Sequence, residues 1–422
     1  MWELLEAVAI IPTSILLLIL LSQYAISLRR KDRFEDGYHP PVSILVPCHN
    51  EERHVRQTIQ RLLNDPYPGR KQIIGIDDGS TDGTLGILKS FGRKILLIRT
   101  KHIGKSKSLN LALKKARGEI ILVVDGDSLV ETGSIQRLVA PLRDGKVGAV
   151  ASTLKVRNPR DGVMSWFQRV EYLYFSFFRS LCDRVNSTIF TPGPLSAYKR
   201  SVLRKVGGFS SDLFMEDVDV SLRIIKSGFR IRVSEFAVSR TAVPNSLRKW
   251  YQQRNRWMKG GIEIIKRNRG FYFRKRFGGG GFYSLPILTY WYFHSLVMGI
   301  IIFYQIFGGY YQWFWLNGAG VSLPAAQYFA YWFSVLGIVN LTYQILVGAY
   351  VATPLMILSI AVTLLNYPLY IYPFIRYKER FGWRDFFVLF FLFPYWILVL
   401  LVQTKSNLTW FHPSEGKNIW KK

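Results

Sequence analysis

Asp125-Gly126-Asp127 closes a strongly apolar run, residues 120–124. Two carboxylates two positions apart at a strand end repel each other unless a cation or hydrogen-bond donors lie between them. Mg2+ and Mn2+ are hard, oxygen-seeking ions that one or two carboxylates can hold while substrate phosphates complete the shell. An ion so placed neutralises charge developing on a departing diphosphate. A solvated acidic turn would read the same way in isolation, because Asp-Gly pairs are common in turns.

Four further constellations could carry chemistry. Asp77-Asp78-Gly79-Ser80-Thr81-Asp82-Gly83 is a second acidic, glycine-rich turn. Asp78 stands where it could accept a hydrogen bond from a nucleotide's base or ribose, whereas Asp82 suits a cap for the helix beginning at Thr84. Gly104-Lys105-Ser106-Lys107 opens a helix with a glycine and two lysines, which suits an anionic group. The spacing of a P-loop is absent, and a solvated basic face is the alternative. Glu216-Asp217-Val218-Asp219 precedes the helical run 220–227 and follows the loop Gly207-Gly208-Phe209-Ser210. The helix dipole favours carboxylates there for structural reasons alone; in a reactive site one of them would be a general base toward an acceptor hydroxyl. In Gln253-Arg254-Asn255-Arg256-Trp257 a helix places Gln253, Arg256 and Trp257 on one face. Arginine offers a fork of donors to phosphate oxygens, and an indole can stack on a sugar. The competing reading is an interfacial helix with Trp250, Arg254 and Trp257 at a bilayer surface.

The elements that must position these groups read as an alternation. Residues 42–46, 72–76, 94–98 and 119–124 have the pattern of strands, with helices over 51–63, 84–91 and 105–116. Strand–helix–strand alternation predicts a parallel sheet covered on both faces, whose ligands lie beyond the carboxyl ends of the strands. Both acidic turns directly follow strands, as that rule demands.

Composition adds a membrane. Apolar residues make up 49% of the 422 and aromatics 15%, concentrated in 4–28 and in several runs after 282. The first run has a single charge, Glu6, and exceeds the roughly 20 apolar residues that cross a hydrocarbon core. Arg29, Arg30, Lys31 and Arg33 follow it, which predicts a retained anchor with its C-terminal side in the cytoplasm rather than a cleaved leader with a basic start. Residues 283–306, 327–347, 351–375 and 386–402 are each long enough to span, with Tyr310, Tyr311, Trp313, Trp315 and Trp332 near several ends. Four such spans return the tail to the cytoplasm but leave Arg376, Lys378 and Arg380 outside; making one run re-entrant repairs that loop and expels the tail. The glycine run 278–281 reads as a hinge. The expected organisation is an anchor over 1–30, a globular unit over 40–270, membrane or interfacial helices over 282–404 and a polar tail over 405–422.

Several classes are disfavoured. The net charge of +28 is scattered through the middle of the chain, and no helix-turn-helix, zinc-ligand or RNA-binding pattern accompanies it. A basic unit beside an anionic leaflet, handling a pyrophosphate donor, explains the charge without nucleic acid. Cys48 and Cys182 form neither a disulfide framework nor a zinc site. A transporter would place ionisable residues within its spans; the apolar runs hold almost none beyond His294, which suits local packing.

The order of acidic turn, DxD, the Gly-Pro-rich Thr191-Pro192-Gly193-Pro194-Leu195, Glu-Asp and QxxRW, followed by apolar spans, resembles the processive membrane synthases of glycosyltransferase family 2. These include hyaluronan, cellulose, chitin and poly-N-acetylglucosamine synthases, and the resemblance runs from about Pro40 to Gly261. It implies an α/β fold, a GT-A (Rossmann-like) glycosyltransferase domain, with an α-helical transmembrane region. It implies a UDP-sugar donor, Mg2+ or Mn2+, a glycan or lipid acceptor, surrounding membrane lipids and no nucleic acid. By position, the uridine contact falls on Asp78 with Asp77 beside it, the metal pair on Asp125 and Asp127, and the donor-side lysine on Lys105. The catalytic base falls on Asp217, preceded by Glu216. Gln253 and Arg256 would hold the pyrophosphate, Trp257 would stack on the acceptor's terminal sugar, and Gly193 and Pro194 belong to the acceptor-side segment. Met215 departs from the Thr that cellulose-type enzymes carry before Glu-Asp. The implied activity is inverting transfer onto a growing polysaccharide by a multi-pass plasma-membrane enzyme with a cytoplasmic catalytic domain, and export of the product would follow from processivity. Non-processive enzymes that glycosylate a lipid carry the same motifs, and a catalytically silent transporter or scaffold could retain the fold.

Overall fold

The computed structural model describes residues 2–28 and 37–411. Arg29, Arg30, Lys31, Arg33 and most of the polar tail lie outside the described residues. Two compact units divide the described chain: one holds 37–246 and 259–287, the other 2–28, 247–258 and 288–411.

The first unit is built on eight strands: β1 (Val42–Cys48), β2 (Lys71–Asp78), β3 (Leu96–Thr100), β4 (Ile120–Val123), β5 (Leu129–Val130), β6 (Val147–Val156), β7 (Ser196–Lys199) and β8 (Arg230–Thr241). They lie in the order β3-β2-β1-β4-β7-β6-β8-β5. β1 to β4 are mutually parallel, as expected. β7 is antiparallel to both β4 and β6, and β5 to β8, so the wholly parallel sheet is corrected to a mixed one. A four-residue strand such as Ser-Ala-Tyr-Lys carries no signal of its direction.

Every residue of β1, β4 and β6 is buried, which is why these strands read as continuous apolar runs and not as alternation. Ile44, Val46 and Leu122 pack on one face with Val55, Ile59 and Leu62 from the helix Val55–Leu63. Leu45, Ile74, Ile76, Ile121 and Val123 pack on the other with Leu109 and Leu113 from the helix Lys105–Lys115. The sheet is therefore covered on both faces.

Local boundaries shift where backbone turns intervene. The first covering helix begins at Val55 and not at residue 51, because residues 51–54 form a turn closed by His54 N–H on Glu51 O at 2.9 Å. β3 begins later than expected, after the 3-10 turn Gly92–Lys94. β2 runs through Asp77 and Asp78. Glu216 and Asp217 form the first turn of the helix Glu216–Lys226.

The glycine run is corrected from a hinge to a packing seam. A Cβ on Gly279 would lie 2.7 Å from Val185 O, and one on Gly281 would lie 2.7 Å from Phe271 O. Ser284 Oγ–H also donates to Ser187 O. Glycine here permits contact between segments.

In the second unit three helices are long and apolar enough to cross a membrane, within Glu6–Ala25, Gly280–Trp315 and Pro354–Arg376, the second of which begins in the α/β unit. The expected runs 327–347 and 386–402 are each broken, by bends of 101° and 60°, so the count rises to five only if each bent pair is one span. The second break has a plain cause. Pro394 has no N–H to give the carbonyl of Phe390, which instead accepts from Val335 N–H, beside the first bend, at 3.0 Å. The N-terminal helix is tied in by Thr13 Oγ1 and Tyr290 OH, 2.8 Å apart, and by Tyr24 edge-on to Tyr372. His294 packs against the rings of Tyr290 and Trp291.

Candidate active site

Strands β1, β2, β3, β4, β6 and β8 all run in one direction, and β7 starts where they end, with Ser196 opposite Val123. One sheet edge thus gathers His49, Asp78, Thr100, Asp125, Arg157, Thr241 and the segment that leads into β7.

At the end of β2, Asp78 is 1% exposed and its carboxylate is fully engaged. Oδ1 accepts from Thr100 Oγ1–H at 2.5 Å and Ile103 N–H at 2.8 Å; Oδ2 accepts from Gly104 N–H at 2.8 Å. Asp78 therefore shapes the loop that delivers Lys105. Gly104 has φ +92, a backbone state that favours glycine. Asp77 points to the other side of the strand, where Oδ1 accepts from Ser80 N–H at 3.3 Å. Asp82 accepts from both the N–H and the hydroxyl of Thr84, the structural role expected of it. Above Asp78, the His49 and His102 rings lie 4.2 Å apart, each with Nδ1 near the Asp78 carbonyl.

At the end of β4 the chemistry is different. Lys105 Nζ lies 2.7 Å from Asp125 Oδ1 and 3.3 Å from Glu216 Oε1. Burial works against the charged lysine, but Asp125 and Glu216 outweigh it and hold its ammonium above the ordinary lysine range. Asp217 accepts a local hydrogen bond from Val218 N–H at 2.9 Å. Burial first, and Glu216 beside it second, push its carboxyl up to about 7 against the pull of Lys105. Two carboxylates thus share one ammonium, with a third, Asp217, beside them.

The surroundings fix this cluster. Ser221 Oγ–H donates to Asp217 O at 2.6 Å and accepts from Thr191 N–H at 3.1 Å, while Thr191 Oγ1 is 2.6 Å from Tyr198 OH. These hydroxyls lock the helix bearing Asp217 to the segment before β7. That segment brings Gly193 to the cluster: a Cβ there would lie 2.9 Å from Lys105 Nζ and 3.3 Å from Asp125 Oδ2. Pro194 follows, half-buried, and its carbonyl is 3.4 Å from Ser239 Oγ. Gly126 admits no side chain, since its Cβ would meet Cys48 Sγ at 2.9 Å. Asp127 Oδ1 accepts from Ser128 Oγ–H at 3.2 Å and Thr241 Oγ1–H at 3.3 Å. Arg157 Nη1–H donates to Asp127 O at 3.0 Å. Met215 fills the space over Gly260, whose Cβ would come 2.6 Å from Met215 Cγ.

The remaining motif residues belong to the second unit. Arg254 is 2% exposed and Trp250 1%, so both side chains are covered by protein. The Arg254 guanidinium lies 4.4 Å over the Trp257 ring, and Trp250 Nε1–H donates to Tyr395 OH at 3.2 Å. Gln253 and Trp257 are half-buried, and Arg256 is exposed.

Sequence reading missed His49, Thr100, His102, Arg157 and Thr241. His49 was within reach of the rule that ligands gather beyond strand ends, since it follows β1. Arg157 follows β6 and Thr241 ends β8, strands that the alternation did not include. Thr100 and His102 act through a loop whose course only the fold reveals.

Residues 43–207 match the sequence model of Glycosyl transferase family 2. The chain is 32% identical over 278 residues to the probable glycosyltransferase YdaM of Bacillus subtilis, covering 63% of this chain and 66% of that protein. It is 28% identical over 236 residues to the poly-beta-1,6-N-acetyl-D-glucosamine synthase of Staphylococcus epidermidis, covering 54% and 56%. The matches thus span just under two thirds and just over half of these relatives' own lengths. The solved structure of a mannosyltransferase from Pyrobaculum calidifontis, in complex with GDP-Man and Mn2+, aligns with 96% of this chain and 99% of its own, with a TM-score of 0.56 and 22% identity. That likeness is one of fold. Together with the curled α/β sheet, these matches identify residues 43–207 as a glycosyl transferase family 2 domain of GT-A fold.

Proposed function

We propose that this chain is an inverting glycosyltransferase that moves a sugar from a UDP-sugar onto a growing polysaccharide at the cytoplasmic face of the plasma membrane, with export of the product. The observation that carries this reading is the cluster beyond the carboxyl ends of the strands in which half-buried Lys105 pairs with Asp125 and with buried Glu216, beside half-buried Asp217. The transferred sugar is a hexose or an N-acetylhexosamine, and the Staphylococcus relative, by its name, supports a polymer product and the N-acetylhexosamine.

Asp217 is the better base of the acidic pair. Glu216 is engaged by Lys105, whereas the Asp217 side chain holds only the adjacent N–H, and its carboxyl near 7 suits proton transfer at neutral pH. In the proposed step the acceptor oxygen attacks the anomeric carbon as the bond to UDP breaks, and Asp217 takes the hydroxyl proton. Lys105 faces the departing diphosphate with its ammonium, and Gly193, having no side chain, lets the segment before β7 close against it. Asp78, with His49 and His102 above it, shapes the nucleoside end. For Gln253, Arg256 and Trp257 the proposed roles, diphosphate and acceptor contacts, rest on the motif.

The residues fit a divalent cation. Three carboxylates against one ammonium leave an excess of negative charge. The described residues hold no group of three or more His, Cys, Asp and Glu side chains that could bind an ion by themselves, so donor phosphates would complete the shell. Asp125 and Asp127 would hold Mg2+ or Mn2+, which when bound would neutralise charge on the diphosphate.

The test is incubation of purified protein with individual radiolabelled UDP-sugars, with and without EDTA, reading product size and solubility. An EDTA-sensitive high polymer from one donor is expected. A single sugar on an organic-extractable lipid would replace polymer synthesis by lipid glycosylation. No UDP release from any donor would leave a silent scaffold.

A further inference from the structure

The stretch 264–287 of the α/β unit carries six Lys and Arg and no Asp or Glu. It folds back on a buried aromatic base, in which the Phe271 and Phe277 rings stack at 4.3 Å and 3°. Phe273 N–H donates to Gly281 O at 3.1 Å and Phe277 N–H to Arg274 O at 3.0 Å, so the tip is held and not frayed. On that base Phe273 stands 65% exposed and Phe282 49% exposed, with their rings edge to face at 6.0 Å. Phe273 also has φ +55, a backbone state that is an outlier for a bulky side chain. In water, both the strain and the exposure of phenylalanine oppose folding, and Gly or Asn would serve better at such a position. Arg269, Arg274, Lys275 and Arg276 of the same short stretch are also exposed, and the Arg276 guanidinium lies 4.6 Å from the centroid of the Phe277 ring. The chain then passes directly into the helix within Gly280–Trp315, which is long and apolar enough to cross a membrane.

We propose that this loop is an anchor for anionic lipid: Phe273 and Phe282 enter the boundary between head groups and acyl chains, and Arg269, Arg274, Lys275 and Arg276 meet the lipid phosphates. An exposed aromatic pair on a stretch with four exposed cations matches the layering of an anionic leaflet, apolar within and negative at its surface. An acidic protein surface would satisfy the cations but not two bare phenyl rings. The proposal rests on the reading of the following helix as a membrane span.

Full-length Phe273→Cys protein would be spin-labelled and reconstituted into phosphatidylcholine vesicles with and without phosphatidylglycerol, using the unsubstituted chain, whose two cysteines are buried, as the blank. Labels at exposed Ser211 and at Ile300, within the span and 61% exposed, give the water and lipid references. The label at 273 is expected to collide with oxygen several-fold more than with a water-soluble nickel chelate. This preference should increase with phosphatidylglycerol, and Arg274→Gln/Lys275→Gln/Arg276→Gln should remove the increase. Nickel access at 273 equal to that at 211, or exclusion of both reagents, with lipid-like behaviour at 300, overturns the anchor alone. Water-like behaviour at 300 overturns the membrane reading beneath it. A phosphatidylglycerol response unchanged in the triple variant overturns the role of the cations.

Discussion

Two acidic, glycine-bearing turns leave the same edge of one sheet, at the ends of β2 and β4, and their electrostatics differ completely. Asp78 meets a hydroxyl and two backbone N–H groups, donors fixed in place by the loop from Thr100 to Gly104. Asp125 meets a lysine that it shares with Glu216, and a third carboxylate, Asp217, is forced up toward neutrality beside them. Fixed backbone dipoles satisfy a carboxylate without adding net charge. A shared ammonium leaves negative charge over and keeps a side chain in a state that can change its protonation. The first arrangement builds a wall, and the second is suited to chemistry.

The contrast breaks most sharply at Asp217. Asp217→Asn should lower kcat by about 10^3-fold, the usual worth of a positioned base, while donor affinity measured by equilibrium binding persists. Full turnover in that variant would remove Asp217 from the chemistry. Asp125→Asn should come next, with turnover down about 10^2-fold and more Mg2+ or Mn2+ required for half-maximal rate, checked by titrating the ion. A variant with an unaltered ion requirement would place the ion elsewhere.

Acidity sharpens the comparison further. A base must be deprotonated to act, and the Asp217 carboxyl stands near 7. The donor kcat/KM should therefore fall about tenfold for each pH unit below about 7. A limb centred near the usual carboxylate range, close to 4, would show that burial does not govern this group. Asp78→Asn should have the smallest effect on turnover at saturating donor. It should instead lower stability by about 2–3 kcal/mol, because charge-assisted hydrogen bonds lose their acceptor charge, and thermal unfolding would register this. Lost turnover without lost stability would move Asp78 from the wall into the reaction.

How much of this was legible beforehand depends on range. The strands ending at Asp78 and Asp125 were readable because a buried parallel strand is an unbroken apolar run. Helix starts at Thr84 and Lys105 were readable from glycine and capping signals close in sequence. The strands β6, β7 and β8 were not included, although they carry Arg157 and Thr241 to the edge and set Gly193 beside Lys105. Their order and direction follow from pairings across many residues, which no local pattern encodes. The spans at 327–347 and 386–402 passed on composition, yet both are bent, and the bends share one hydrogen bond from Val335 to Phe390. Pro394 was a visible warning; its partner was not.

The sequence by itself determined which side chains can bear charge, which runs must be buried, and the residues 43–207 that match a family 2 domain. Those properties depend on residue type and short spacing alone. Only the tertiary structure decided that Asp78 is saturated while Asp217 is pushed toward neutrality, that Glu216 and not Asp217 is engaged by Lys105, and that the glycine run is a seam. These outcomes turn on which donors and charges lie within a few ångströms in space, and carboxylates of identical chemistry acquire different work from that proximity.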